Sequence, residues 1–210
     1  MVLVLAVAAP AMAAEWVEYV SQEDRFGLTF PGQPTVTATT YKSEYGAELK
    51  ARIHKFEENG ARYTVTVVDY SPIEQIQTEK ATSCPAGAET CLGSPTTGRG
   101  YWIVDKHGAL LYAVWNLMQR DAKVTHLTWQ FTNLVEGHQL QLTNTKDQSR
   151  TYAAMFMHQD RLYILEATVP KGIPEPTFFQ QSLGFLDDEG KSIRYQSVYS
   201  NHYPAPPRTR

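Results

Sequence analysis

Residues 49–70 read LKARIHKFEENGARYTVTVVDY. Two alternating runs, 49–56 and 62–70, flank Glu57-Glu58-Asn59-Gly60-Ala61. Asn-Gly readily adopts the positive φ angles that tight hairpin turns need, so the two runs are expected to pair antiparallel. In the second run Tyr63, Val65, Val67 and Asp69 fall on one face, and Thr64, Thr66, Val68 and Tyr70 on the other. Apolar residues on both faces predict an interior strand covered on each side, with helices as the expected cover.

Working outward, residues 16–20 alternate as a first strand, and 26–30 form a second that stops at Pro31-Gly32-Gln33-Pro34. Ser71 and Pro72 suit the start of a helix running to about residue 81. Residues 84–100, rich in Gly, Pro, Ser and Thr, read as a loop. Strands are expected over 110–118, 123–131, 138–144, 150–157 and 161–169, the last two joined at His158-Gln159-Asp160. Phe178, Phe179, Leu183 and Leu186 have helical spacing, and the first three are expected to pack on the sheet. Residues 193–199 read as a final strand.

The expected class is α+β, a single mainly antiparallel sheet flanked by helices. The expected organisation is a signal peptide over 1–13, one domain over 14–200 and a Pro-rich tail over 201–210. Val2 to Ala9 is an uncharged apolar run, and Ala11-Met12-Ala13 has the small-x-small pattern of a signal cleavage site. The run is shorter than the roughly 20 residues that span a bilayer, so no transmembrane segment is expected. Cys84 and Cys91 enclose Pro and Gly in a short loop, a spacing that suits a disulfide kept by an oxidising compartment. A redox pair or half of a metal site are the alternatives. Closing so short a loop restricts the unfolded chain by roughly 2–3 kcal/mol in the entropic account. The expected location is therefore the periplasm or outside the cell.

Composition narrows the function. A hydrophobic fraction of 42%, with 12 Tyr, 8 Phe and 4 Trp, supports a substantial core. The net charge is −3 and no Lys/Arg cluster is available to neutralise phosphates, so nucleic acid is not an expected partner. None of the six histidines falls in a zinc-hydrolase motif, and no G-x-S-x-G elbow occurs. Residues 93–100, GSPTTGRG, lack the Lys-Ser/Thr of a phosphate loop. Asp187-Asp188-Glu189-Gly190 lacks the alternating ligands of a calcium loop and reads as a solvated turn. Tyr101, Trp102, Tyr112, Trp115 and Trp129 suit core or cross-strand packing, or else a groove for a glycan or peptide. His54 and Asp69 lie near the ends of paired strands and form a conceivable acid–base pair. No catalytic, cofactor-binding or metal-binding residue is assigned, and no cofactor is expected.

Phe26-Gly27-Leu28-Thr29-Phe30-Pro31-Gly32-Gln33-Pro34, followed by residues 62–70, resembles the opening of small bacterial exported proteins of PsbP/Mog1-like fold. Arg150-Thr151-Tyr152-Ala153, Arg161-Leu162-Tyr163-Ile164-Leu165 and Phe178-Phe179 with Ser182-Leu183 resemble the hairpin and helix that close that family's domain. The resemblance implies a sheet sandwiched by helices. It also implies an accessory or binding role in place of catalysis, since named members assist photosystem assembly or bind a small GTPase. It transfers no binding residue, and residues 84–145 have no counterpart in it. The expected function is thus a non-catalytic accessory or binding protein of the cell envelope, partner unknown. The alternatives are a small-molecule or glycan binding module and an envelope hydrolase with an unrecognised site.

Overall fold

The structure, a computed structural model, describes residues 16–88 and 91–209. The expected signal peptide, residues 1–13, lies outside them. Among the described residues the chain order is β1 (Val17–Ser21), β2 (Phe26–Phe30), β3 (Thr35–Lys42), β4 (Glu48–Glu58), β5 (Ala61–Asp69) and α1 (Ile73–Thr82). Then follow β6 (Gly93–Ser94), β7 (Gly98–Arg99), α2 (Trp102–Met118), β8 (Ala122–Thr132) and β9 (Val135–Asn144). The chain continues through β10 (Arg150–His158), β11 (Arg161–Val169), α3 (Thr177–Gln181) and β12 (Gly184–Phe185). No helix among these is long and apolar enough to cross a membrane.

β4 and β5 pair antiparallel from Glu58–Ala61 to Ala51–Val68, and Asn59 and Gly60 hold φ of 50° and 78° at the turn. The hairpin of β10 and β11 joins the same sheet, because β11 pairs with β5. The full order is β3-β4-β5-β11-β10-β9-β8, and every neighbouring pair is antiparallel. A second sheet, β1-β2-β12, forms a separate layer.

The two faces of the large sheet bury different sets of side chains. On one, Val65, Val67, Tyr163, Leu165 and Phe156 meet Phe26, Leu28 and Phe30 of the small sheet, with Phe179 of α3. On the other, Val68, Leu162, Ile164, Met155 and Leu140 lie beneath Ile73 of α1 and Leu110, Ala113, Val114 and Leu117 of α2. β5 is therefore the doubly covered interior strand expected from its pattern. One of its covers is a small sheet, where a helix was anticipated.

Four expectations change. Residues 110–118 are helical, not a strand, as part of α2. The buried positions Leu110, Ala113, Val114 and Leu117 repeat every three to four residues, which places them on one helix face and would scatter them across both faces of a strand. Phe179 and Leu183 are buried, but Phe178 is 55% exposed and touches Trp16 edge-on instead of the sheet. The reason is helix geometry: consecutive residues of α3 project about 100° apart, so with Phe179 turned into the core Phe178 falls on the side of the helix away from it. Residues 193–199 contribute only isolated bridges, Tyr195 to Arg208 and Val135 to Tyr199. Within the residues expected to be a loop, Gly93 and Ser94 pair with Arg99 and Gly98.

Candidate functional site

The turn joining β1 to β2 carries a carboxylate inward. Ser21 Oγ accepts the Asp24 N–H at 3.2 Å and donates to Asp24 Oδ2 at 3.1 Å, which orients the Asp24 side chain. Arg52 and His54 stand two residues apart on β4 and so share one face. Both reach Asp24: Arg52 Nε is 2.9 Å from each carboxylate oxygen, Nη2 is 2.6 Å from Oδ1, and His54 Nε2 is 2.7 Å from Oδ2. A carboxylate only accepts, so His54 Nε2 carries a proton. Tyr19 of β1 meets the other ring nitrogen, Nδ1, at 3.0 Å, and Tyr163 of β11 donates to the Asp24 carbonyl at 2.9 Å. Asp24 and His54 are 4% and 1% exposed, so neither is in open solvent and both ring nitrogens of His54 are engaged inside the protein. Burial, followed by the nearby Asp24 charge, raises the Tyr19 phenol above its ordinary pKa.

Arg52 also forms one wall of a cleft of about 380 Å³. Its guanidinium pairs with Glu23 at the rim. Lys50 of β4, Asp69 of β5 and Arg161 of β11 also line it. Asp69 and Arg161 are direct cross-strand partners. Asp69 accepts the Ser71 N–H at 2.9 Å, and Arg161 reaches the Gln159 carbonyl at 3.5 Å. Among the described residues no ion pair engages Lys50, Asp69 or Arg161. The volume lies inside the range typical of small-ligand sites.

The pair His54 and Asp69 is not formed. They share a face of the sheet, but His54 lies opposite Val65, whereas Asp69 lies opposite Arg161, and His54 takes Asp24 as its carboxylate. Asp24 was not legible in the sequence: an Asp in a short turn between strands is ordinary, and only the stacking of the small sheet on β4 brings it to His54.

The aromatic set does not form one groove. Tyr101 stacks on Tyr45, Trp102 packs against the helix-side core, Tyr112 and Trp115 stack on α2, and Trp129 lies beside Phe131 on β8. Cys84 and Cys91 are at disulfide distance, with Cα atoms 6.0 Å apart. In the turn after β12, Asp187 Oδ1 accepts the N–H groups of Glu189 and Lys191. No cluster of three or more metal-ligating side chains occurs among the described residues.

No protein-family model matches the chain, and no curated protein sequence matches it. Among solved structures, the chain is similar to the solution structure of cyanobacterial PsbP (CyanoP) from Synechocystis sp. PCC 6803. Sequence identity is 12%, the match covers 86% of this chain and 98% of the other, and the TM-score is 0.46. A likeness of that size transfers no residue role.

Proposed function

We propose that the chain is an exported, non-catalytic binding protein of the cell envelope. In this reading its ligand is a small molecule carrying both an anionic and a cationic group, held in the cleft beside Arg52. The observation that carries the reading is the set Lys50, Asp69 and Arg161, charged side chains that border one hollow and have no ion-pair partner among the described residues. A ligand carboxylate would answer the two cations, and a ligand ammonium would answer Asp69, with charge-assisted hydrogen bonds in both cases. The inward engagement of both His54 nitrogens favours binding over acid–base chemistry, since a general base must reach the proton it removes. The apolar segment ending in Ala11-Met12-Ala13 and the cysteine pair support export.

Calorimetric titration with free amino acids, a neutral disaccharide and inorganic phosphate tests the ligand class. Zwitterions should bind, and both Arg161→Ala and Asp69→Ala should weaken them tenfold or more, since a hydrogen bond to a charged group is worth about 1.5–3 kcal/mol. Binding of the disaccharide alone, or zwitterion binding indifferent to both substitutions, would refute the site. Fractionation of producing cells checks export, with Ala14 or Glu15 expected at the mature N-terminus.

A further inference from the structure

The two edges of the seven-stranded sheet are unlike. β3 closes one edge with four threonines along its first six residues and ends in Lys42. β8 closes the other, and among the described residues no strand pairs with its outer side. Its first part is protected by Lys123 and by a bulge between Val124 and His126. Residues 126–132, His-Leu-Thr-Trp-Gln-Phe-Thr, contain no Asp, Glu, Lys, Arg or Pro. An exposed edge of that composition, rich in β-branched and aromatic residues, is what folded proteins ordinarily avoid leaving unpaired.

The side chains along this edge are apolar on one face. Leu127 lies opposite Leu140 and Trp129 opposite His138. Leu140 belongs to the core beneath α2, so Leu127, Trp129 and Phe131 project on the helix side of the sheet. There they are 46%, 51% and 52% exposed. On the same side of the molecule α2 presents Leu111, Trp115 and Met118, which are 62%, 54% and 38% exposed and fall at i, i+4 and i+7. Leu127, Trp129 and Phe131 together leave on the order of 300 Å² of apolar surface open along this edge, and the α2 side chains add a further exposed stripe on the outer face of that helix. Strand pairing would add the unpaired N–H and C=O groups of the β8 edge to the surface covered, the hydrogen bonds supplying what the apolar area alone does not.

We propose that this face is where two copies of the chain meet, β8 pairing antiparallel with β8 of the second copy about a two-fold axis near Trp129. The arrangement is self-complementary. Antiparallel pairing centred there sets Leu127 of each copy against Phe131 of the other, giving apolar cross-strand pairs. An isologous interface brings each residue near its own symmetry mate's surroundings, so charge in the patch would meet like charge. Within the two stripes themselves such charge is missing, since neither residues 108–118 of α2 nor residues 124–132 of β8 include an Asp, Glu, Lys or Arg; the nearest acidic group on this face, Glu136, stands on β9 opposite Phe131, one strand back from the proposed axis. A second copy supplies both the missing strand edge and the matching apolar side chains of β8. The cleft beside Arg52 lies on the opposite face of the sheet, so the dimer does not depend on the ligand reading.

Light scattering and sedimentation velocity on the full chain, from low-micromolar to submillimolar concentration, test the proposal. The expected mass at the upper end is twice that of one chain. Trp129→Lys places two cations at the axis and should weaken association roughly tenfold or more, with Trp129→Ser giving a smaller loss and circular dichroism unchanged for both. Both native cysteines are in the disulfide, so a single introduced thiol reports alone: Trp129→Cys should be captured as a covalent dimer by a short bismaleimide, and Thr37→Cys on β3 should not. A single-chain mass at every concentration overturns the proposal. So does a dimer indifferent to Trp129→Lys, or one captured through Thr37→Cys.

Discussion

The molecule buries two histidines on the same side of its large sheet and satisfies them in opposite ways. His54, on β4, lies within a network of Tyr19, Asp24 and Arg52, and the partners at its two ring nitrogens are a phenol and a carboxylate. His158, at the end of β10, is caged by the rings of Phe185, Tyr195 and Tyr199. Its Nε2 meets the Tyr195 hydroxyl at 2.7 Å, and its Nδ1 has no hydrogen-bond partner among the described residues. Burial, reinforced by Arg208, Arg161 and Arg25, pushes the His158 pKa down to about 3, so this ring is neutral in the folded protein. The difference shows two solutions to one problem. A polar ring can enter a core beside charges that are themselves compensated, or it can enter uncharged with aromatic neighbours. The first solution ties two sheets together, since Asp24 belongs to the β1–β2 turn and Arg52 and His54 to β4. The second fills space.

The contrast predicts effects of different size. Asp24→Ala should be the most damaging change, costing about 3–5 kcal/mol, because it leaves a buried His54 without its acceptor and a partly buried Arg52 with Glu23 as its remaining carboxylate partner. Urea unfolding measures it, and a loss below 1 kcal/mol would mean the network contributes little. At the other histidine the sensitive variable is pH. The folded pKa is depressed below the unfolded value of about 6.5, so the unfolded chain takes up the proton first as pH falls. Stability should then decline from about pH 6.5 towards pH 3, by up to about 1.4 kcal/mol per unit and about 2 kcal/mol by pH 5. Because carboxylates titrate in the same range, the check is the difference between the protein and His158→Phe, whose acid decline should be shallower by that amount. Tyr195→Phe should cost about 1–3 kcal/mol, since a residue 4% exposed leaves no room for water to replace its hydroxyl at His158. Tyr19→Phe should cost about 1 kcal/mol or less, because Tyr19 is only half-buried and water can take over at Nδ1. Equal losses for the two tyrosines would erase the distinction between the cages.

Much of the sheet was legible because its signals are local. The Asn59-Gly60 turn and the alternation on either side of it predict β4 and β5, and the short turn after His158 predicts β10 and β11. Residues 110–118 were not legible as a helix. The run Ala109-Leu110-Leu111-Tyr112-Ala113-Val114-Trp115 is apolar at nearly every position, and a sequence apolar all round carries little periodicity. Half of that apolar surface stays outside, at Leu111 and Trp115, and only the packed structure separates it from the half that is buried.

By itself the sequence determined the local chemistry: an antiparallel α+β pattern, a cysteine loop able to close, an apolar run over residues 2–9 and the absence of familiar catalytic motifs. Those follow from spacing between near neighbours. The tertiary structure decided what depends on distant residues. It alone set Asp24 beside His54, 30 residues apart in the chain, left Lys50, Asp69 and Arg161 around one cleft, and placed β8 at an open edge. Side-chain identity states which contacts are chemically available. Which of them form is decided by how the layers stack, because burial of the apolar faces of β2, β5 and α2 dictates where the polar groups carried by the same elements must end up.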